Sequence, residues 1–247
     1  MRRPVILVIR AEDHFSQILR DIGAEVIALE LITTERSGNI DEIKAAFEHL
    51  ADYDGIFVTS PAAAAVLADH IADAPNFVGK IYVLGKRSRD ALSILKVNVV
   101  TSDTANTASQ LIEELPSEEF AGKRLLFLRG NLTVGSIQME LLGKASLDEL
   151  IVYRTISVDP TQKVRNELKG RFERNEIDWV CFFSPSGVDR FQAVFGGKNG
   201  GEFEVAAIGK TTAARAREAG FKIGFISERT AAGDFAAGLA AHIKSIE

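Results

Sequence analysis

The chain has 247 residues, of which 46% are hydrophobic and 26% charged, and its formal net charge is −5. This length allows one large globular domain or two of modest size, each with its own core. A negative net charge and the lack of a basic tract argue against a nucleic-acid partner. The single cysteine, Cys181, excludes a disulfide framework and a thiolate metal cluster. No apolar run has the length of a signal peptide or membrane span, so we expect a cytoplasmic protein without membrane contact.

Strand-like and helix-like segments alternate along the whole chain. The predicted strands cover residues 4–9, 26–32, 55–58, 81–84, 97–100, 124–128, 150–158, 180–183, 205–208 and 222–226. Most are short, continuous apolar runs, and helical spacing of apolar residues lies between them. This alternation is typical of parallel sheets that are covered by helices on both faces. We therefore predict an α/β fold.

The sequence contains an internal duplication. Ser60-Pro61 recurs as Ser184-Pro185, and Gly85-Lys86 recurs as Gly209-Lys210, with the same spacing of 124 residues (from 60 to 184 and from 85 to 209). Both motifs follow apolar strands, so the repeated feature is a strand with its turn and helix start. The chain is therefore expected to contain two copies of one α/β unit.

Two arrangements of the copies are compatible with the sequence. One is a simple tandem split. In the other, which we favour, the extended stretches at 26–32 and 150–158 are equivalent in the repeat, and each leads into a linker. The linker strands, at 31–37 and 151–159, lie side by side in antiparallel orientation. Domain 1 is then discontinuous, with residues 1–30 and 160–247, and domain 2 comprises residues 38–150.

The predicted strand ends carry the candidate binding groups. In parallel sheets, ligands bind at the carboxyl ends of strands, where helix N-termini direct backbone N–H groups outward. The loops at these ends are rich in glycine, hydroxyls and basic side chains: 59–61, 85–88, 129–131, 184–187 and 209–212. On facing edges of two domains they would form a cleft for anions. The alternative is that each hydroxyl only caps the helix that follows.

Other catalytic signals are weak. The four histidines lack the spacing of metal ligands, and no dinucleotide fingerprint, phosphate loop or nucleophile elbow is present. Tyr153 differs, because it lies in the second linker stretch. It either packs against a strand or presents its phenol to the cleft as a proton donor.

Several motifs together resemble the uroporphyrinogen-III synthase family. They are Phe182-Phe183-Ser184-Pro185-Ser186-Gly187, the segment from Ala206 to Ala213, and Val152-Tyr153-Arg154-Thr155. Phe57-Val58-Thr59-Ser60-Pro61 and the segment from Leu126 to Asn131 fit the same family, so the resemblance covers nearly the whole chain. Each motif is short, and their order and spacing give the resemblance its specificity.

This resemblance implies a two-domain enzyme that needs neither cofactor nor metal. Its members cyclise the linear tetrapyrrole hydroxymethylbilane to uroporphyrinogen III, with loss of water and inversion of ring D. The proposed route passes through an azafulvene and a spiro intermediate. A substrate with eight carboxylates calls for many N–H and hydroxyl donors and few acids. The resemblance also favours a monomer and leaves open a transient contact with the upstream deaminase.

Residue roles are carried over by motif. Tyr153 is the candidate catalytic residue, which assists departure of the substrate hydroxyl. The candidate substrate-binding residues are Arg10, Thr59, Ser60, Ser88, Gly130, Asn131, Ser184, Ser186, Gly187, Thr211 and Thr212. The chain departs from the family at 131–136, where a basic residue is usual, and this puts the binding role of that segment in doubt. The alternative function is a non-catalytic two-lobed protein that binds a small anion.

Overall fold

The structure is a computed structural model that describes residues 2–37, 40–71, 74, 76–93, 95, 97–105, 107–132, 136–196, 202–229 and 231–246. The chain forms two compact units. Unit 1 consists of residues 1–33 and 156–247, and unit 2 consists of residues 34–155. Both crossing points fall inside the segments predicted as linkers. Residue 38, the predicted start of domain 2, lies outside the described residues.

Strands and helices alternate as the apolar pattern predicts, except that the single strand predicted at 26–32 is wrong: the chain breaks there into two strands, which belong to different sheets. In chain order the strands are β1 (Val5–Val8), β2 (Glu25–Ala28), β3 (Ile32–Arg36), β4 (Gly55–Val58), β5 (Lys80–Val83), β6 (Asn98–Thr101), β7 (Arg124–Gly130), β8 (Ser146–Ser157), β9 (Trp179–Phe182), β10 (Glu204–Ala207) and β11 (Ile223–Ile226). The helices are α1 (His14–Asp21), α2 (Ile40–Glu48), α3 (Pro61–His70), α4 (Lys86–Leu92), α5 (Ala108–Glu113), α6 (Ser136–Leu141), α7 (Gln162–Glu173), α8 (Pro185–Phe195), α9 (Lys210–Glu218) and α10 (Ala232–Ile246).

The sheet of unit 1 has the strand order β11-β10-β9-β1-β2, and every neighbouring pair is parallel. Counted along the chain within this unit, that is the order 2-1-3-4-5 of flavodoxin-like doubly wound sheets. In such a sheet the direction in which successive strands are added reverses between the strands that are first and third in chain order. In unit 1 this reversal lies between β1 and β9.

The sheet of unit 2 has the strand order β3-β8-β7-β4-β5-β6, and the five strands from β8 to β6 are parallel. Those five strands have the same arrangement in space as the five strands of unit 1, with β7 in the place of β1 and β4 in the place of β9. The chain, however, forms β4 first, whereas a copy in the same chain order would begin with β7. Unit 2 is therefore a circularly permuted copy of unit 1 with one additional edge strand, β3. The predicted fold class, α/β with two similar domains of mainly parallel sheet, is confirmed.

The predicted antiparallel pair of linkers stays a prediction. Two backbone hydrogen bonds occur in this part of the chain. In unit 2 the Ser37 N–H donates to the Val152 carbonyl at 3.0 Å, and in unit 1 the Val158 N–H donates to the Leu31 carbonyl at 2.8 Å. The observed strands, β3 and β8, start and end at different residues from the predicted linkers, and β8 begins five residues before residue 151.

Each sheet separates two apolar clusters, because successive side chains of a strand point to opposite faces. In unit 1, Leu7 and Val180 contribute to one cluster, whereas Ile6 and Cys181 contribute to the other. Burial raises the pKa of the Cys181 thiol, as expected for an inert core cysteine. Among the described residues, no helix combines the length and the apolar character needed to cross a membrane.

A matched aspartate precedes the central strand of each unit. The Asp54 carboxylate accepts from the Arg124 N–H at 2.8 Å, and the Asp178 carboxylate accepts from the Val5 N–H at 2.7 Å. The N–H groups of the same aspartates donate to the carbonyls of Arg124 and Val5, at 2.8 and 2.9 Å. The two aspartates have the same spacing as the Ser-Pro motifs, so the duplication extends to the amino ends of the strands. Each aspartate fixes the register of the two strands between which the winding reverses.

We expect Asp178→Ala to lower the free energy of unfolding by about 1 to 2 kcal/mol, because the Val5 N–H loses a charged acceptor in a part-buried position. Urea unfolding followed by circular dichroism measures this change. Asp178→Asn keeps an acceptor oxygen and is the matched control, with a smaller expected loss. An unfolding midpoint of Asp178→Ala equal to that of the wild type would contradict a role in the strand register.

Candidate functional site

The candidate site in each unit lies where the winding of the sheet reverses. In unit 1 this is between β1 and β9, and in unit 2 between β7 and β4. The connections that leave two such strands run to opposite faces of the sheet, so a crevice opens at their carboxyl ends. The predicted loops that follow these four strands therefore occupy the expected ligand-binding edge of each sheet.

In unit 1, the turn after β9 begins with a helix cap. Ser184 is the N-cap of α8, its hydroxyl accepts from the Gly187 N–H at 3.1 Å, and Pro185 occupies the first turn. The hydroxyls of Ser184 and Ser186 are 3.0 Å apart. A Cβ on Gly187 would lie 3.8 Å from a methyl carbon of Ile9, so this turn packs against the end of β1. Capping thus accounts for Ser184, while the half-buried Ser186 hydroxyl has only Ser184 as its partner among the described residues.

Arg10 adjoins this turn from the end of β1. Its guanidinium pairs with the Asp13 carboxylate at 2.8 Å, and its central carbon lies 4.5 Å from the centroid of the Phe183 ring. The second oxygen of Asp13 accepts from the Phe15 N–H at 3.0 Å and caps α1. The structure therefore places the predicted residue Arg10 next to Ser184, and it adds two residues that sequence reasoning missed, Asp13 and Phe183.

In unit 2, the turn after β4 repeats the geometry of the Ser184 turn. Ser60 is the N-cap of α3, its hydroxyl accepts from the Ala63 N–H at 3.2 Å, and Pro61 occupies the first turn. Thr59, at the end of the strand, is half-buried. The matched pair predicted from the sequence is therefore a pair of capped helix starts.

The second pair of predicted turns precedes α4 and α9, and both helices have glycine at the N-cap. Gly85 has a φ of 77°, in the left-handed region that favours glycine, whereas Gly209 is extended. In the part of the chain that the structure describes, no side chain caps either helix. Ser88 and Thr212, which follow three residues later, are only 1% and 4% exposed. Such burial favours packing of the helix start over direct contact with a ligand at these two hydroxyls, whereas Thr211 is exposed.

The charges at these turns favour anions. Lys86, Arg87 and Lys210 are exposed, and none of them forms an ion pair with a residue that the structure describes. In contrast, the Arg129 guanidinium pairs with the Glu149 carboxylate at 2.6 Å. Within the described part of the chain, no three His, Cys, Asp or Glu residues converge as metal ligands.

Gly130 and Tyr153 are paired on neighbouring strands at the candidate site of unit 2. The β7–β8 register shifts by one residue after Arg129, so Gly130 pairs with Tyr153 and Val152 is the extra residue of a bulge. A Cβ on Gly130 would lie 2.5 Å from the Tyr153 ring, so a side chain at this position would displace the ring. Within the described residues, the half-buried Tyr153 has no hydrogen-bond partner for its hydroxyl. Gly130 therefore makes room for the phenol.

Asn131 fixes the strand that carries Tyr153. Its side-chain oxygen accepts from the Thr155 N–H at 2.8 Å, and its own N–H donates to the Tyr153 carbonyl at 3.3 Å. These bonds continue the strand pairing beyond the bulge. Half of the segment 131–136, namely residues 133–135, lies outside the described residues.

A third pair of strand ends also carries hydroxyls, and sequence reasoning missed it. After β6, the Ser102 hydroxyl accepts from the N–H groups of Thr104 and Ala105, at 3.0 and 2.8 Å. After β11, the Ser227 hydroxyl donates to the Arg229 carbonyl at 2.6 Å. The signal was present, because Ser102 and Ser227 differ in spacing by only one residue from the other repeated pairs.

The structure therefore gathers the predicted residues into two groups, one at the carboxyl edge of each sheet. The group of unit 1 contains Arg10, Ser184, Ser186, Gly187, Thr211 and Thr212, and that of unit 2 contains Thr59, Ser60, Ser88, Gly130, Asn131 and Tyr153. Both groups are rich in donors.

Comparison with known proteins agrees with this fold. The family model described as Uroporphyrinogen-III synthase HemD matches residues 13–237. A relative named uroporphyrinogen-III synthase, from Chlorobaculum parvum, is 28% identical over 206 residues, which cover 79% of this chain and 82% of the relative.

Two solved structures share the fold. A mutant uroporphyrinogen III synthase from Thermus thermophilus has a TM-score of 0.69 at 16% identity, with 98% of this chain and 99% of that chain covered. Uroporphyrinogen-III synthetase from Helicobacter pylori has a TM-score of 0.64 at 17% identity, with 98% and 100% covered. Because the family match extends over most of the sequence, the chain belongs to the uroporphyrinogen-III synthase family, whose members cyclise hydroxymethylbilane in tetrapyrrole biosynthesis.

Proposed function

We propose that this chain converts hydroxymethylbilane to uroporphyrinogen III, with loss of water and inversion of ring D. The observation that carries the proposal is the family match over residues 13–237. The donor-rich edges of both sheets support it independently, because a substrate with eight carboxylates needs many hydrogen-bond donors. A second candidate function is non-catalytic binding of a small anion. It also requires hydrogen-bond donors at the sheet edges, but it predicts no turnover of hydroxymethylbilane.

The carboxylates of the substrate are held by side chains and by backbone N–H groups. The glycine-capped helices α4 and α9 supply the backbone donors, because no described side chain caps their first turns. The positive end of a helix adds a favourable field for an anion. Lys86, Lys210 and Arg10 add positive charge, and the hydroxyls of Ser186 and Thr211 add further donors.

Tyr153 assists the first chemical step. Its hydroxyl donates a proton to the hydroxyl group of the substrate as the carbon–oxygen bond breaks, so that water leaves, Tyr153 becomes a phenolate and the substrate becomes an azafulvenium cation. Return of the pyrrole N–H proton to the phenolate leaves the neutral azafulvene and restores the phenol. The substituted carbon of ring D then attacks to give the spiro intermediate, which fragments and recloses with ring D inverted. Gly130 and Asn131 act on this step by positioning the strand and ring of Tyr153 rather than by binding substrate.

Several finer features belong to the same proposal. The chain acts as a cytoplasmic monomer without cofactor or metal, and it allows a transient contact with the upstream deaminase. Its domains are residues 1–30 with 160–247 and residues 38–150, joined by linker strands 31–37 and 151–159. The compact units observed, with their boundaries inside both linkers, support this division.

The activity is tested by incubating the purified chain with freshly generated hydroxymethylbilane and separating the uroporphyrin isomers after oxidation. We expect the type III isomer to predominate. A heat-denatured sample is the control, because the substrate closes spontaneously to the type I isomer. If the native chain yields only type I, the proposed function is wrong and the anion-binding alternative gains support.

We expect Tyr153→Phe to lower kcat by about 100-fold, because it removes only the proton that assists hydroxyl departure. Steady-state kinetics of type III formation measures the change. Tyr53→Phe is the matched control: the Tyr53 hydroxyl bonds to Asp148 at 2.8 Å near the amino end of β4. It should leave kcat unchanged. Equal kcat values for Tyr153→Phe and the wild type would remove the phenol from the mechanism.

We expect Gly130→Ala to displace the Tyr153 ring, because the new methyl group would overlap it. The overlap should destabilise the protein by about 1 to 3 kcal/mol and lower kcat about as much as Tyr153→Phe does. The control is the same substitution in a Tyr153→Ala background, where the methyl group has space. A kinetic effect of Gly130→Ala that persists undiminished in that background would show that Gly130 acts independently of Tyr153.

A further inference from the structure

Asp13 makes two contacts that serve different purposes. One carboxylate oxygen accepts from the Phe15 N–H at 3.0 Å and caps α1, and the other pairs with the Arg10 guanidinium at 2.8 Å. The Asp13 and Arg10 side chains are 30% and 29% exposed, so the pair is neither fully solvated nor sealed in the core. It lies at the carboxyl end of β1, where the winding of unit 1 reverses.

Capping alone does not require a carboxylate. Where the structure describes an N-capping side chain on another helix, that side chain is a hydroxyl, from Ser60, Thr107, Thr161 or Ser184. Serine and aspartate are comparably good N-caps. The second oxygen of Asp13 therefore adds something that a serine cap would lack, and its one partner among the described residues is Arg10.

Two contacts together fix the orientation of the Arg10 guanidinium. Phe183 lies 4.5 Å from its central carbon and restricts the plane of the group, while Asp13 holds one terminal nitrogen. A guanidinium has five N–H donors in a fixed planar fork, so donors remain for an anion on the other edge. A long side chain that is fixed in this way loses less conformational freedom when it binds a carboxylate.

We propose that Asp13 is a positioning residue for substrate binding: it holds Arg10 across the Phe183 ring in the orientation that receives a carboxylate of the substrate. The proposal rests on the proposed function and deepens it. Asp13 acts through Arg10 and touches no reacting atom, so its loss should raise KM and leave kcat nearly unchanged. If Asp13 only repelled the anionic substrate, its removal would lower KM. The expected change of KM therefore has the opposite sign to the change that repulsion would cause.

Two substitutions separate the contacts. Asp13→Ser keeps the cap and loses the hold on Arg10, so we expect an unchanged melting temperature and a KM for hydroxymethylbilane raised about threefold to tenfold. Asp13→Glu keeps a carboxylate for Arg10 and weakens the cap, so we expect a lower melting temperature and a KM close to that of the wild type. Both are measured by steady-state kinetics of type III formation and by thermal unfolding.

A double-mutant cycle tests whether Asp13 acts through Arg10. In an Arg10→Ala background, which itself has a raised KM, Asp13→Ser should cause no further rise. An additive rise in the double variant overturns the proposal, as does an unchanged or lowered KM in Asp13→Ser alone. A KM that follows the melting temperature across the Ser and Glu variants also overturns it, since Asp13 would then be only a cap. The proposed function fails separately, if the wild type itself forms only the type I isomer.

Discussion

The register of one strand pair in each unit determines where the candidate site forms. Asp178 and Asp54 bind the first N–H of β1 and β7, and they fix these strands against β9 and β4. The paired strands are short, so a fixed amino end also fixes the carboxyl end a few residues away. A slip of one residue would turn the core side chains to the wrong face and separate the two loops that carry the donors.

The circular permutation explains why the two edges are alike in binding groups but different in chemistry. The duplicated part, from the Ser-Pro turn to the glycine-capped helix, supplies one serine-capped and one glycine-capped helix start to each unit. The strands that differ in chain order supply the rest: β1 brings Arg10, whereas β7 and β8 bring Gly130 and Tyr153. The catalytic candidate therefore lies in the part of the fold that the permutation altered, whereas the repeated part contributes the helix starts at both edges.

Local features of the structure were predictable from the sequence, and long-range ones were not. The bounds of β4 match the prediction, because a buried apolar run ends abruptly at a polar turn. β8 begins four residues earlier than predicted, since Ser146–Glu149 is polar and half exposed although it pairs with β7. Ser60 and Ser184 were identified because capping is local. The contacts of Asp13 and Phe183 with Arg10, and the bulge under Tyr153, depend on neighbouring strands and carry no local signal.

The bulge in β8 shows how the fold places a reactive group without a dedicated catalytic motif. In regular pairing, residue 153 would lie opposite residue 131, but the extra residue Val152 moves Tyr153 opposite Gly130. Glycine at position 130 leaves the space that the ring occupies, and Asn131 restores the pairing at Thr155 beyond the bulge. Residues that resemble a binding motif thus act as the support of a phenol. Because backbone geometry sets this position, the protein itself orients the Tyr153 ring, without help from a bound ligand.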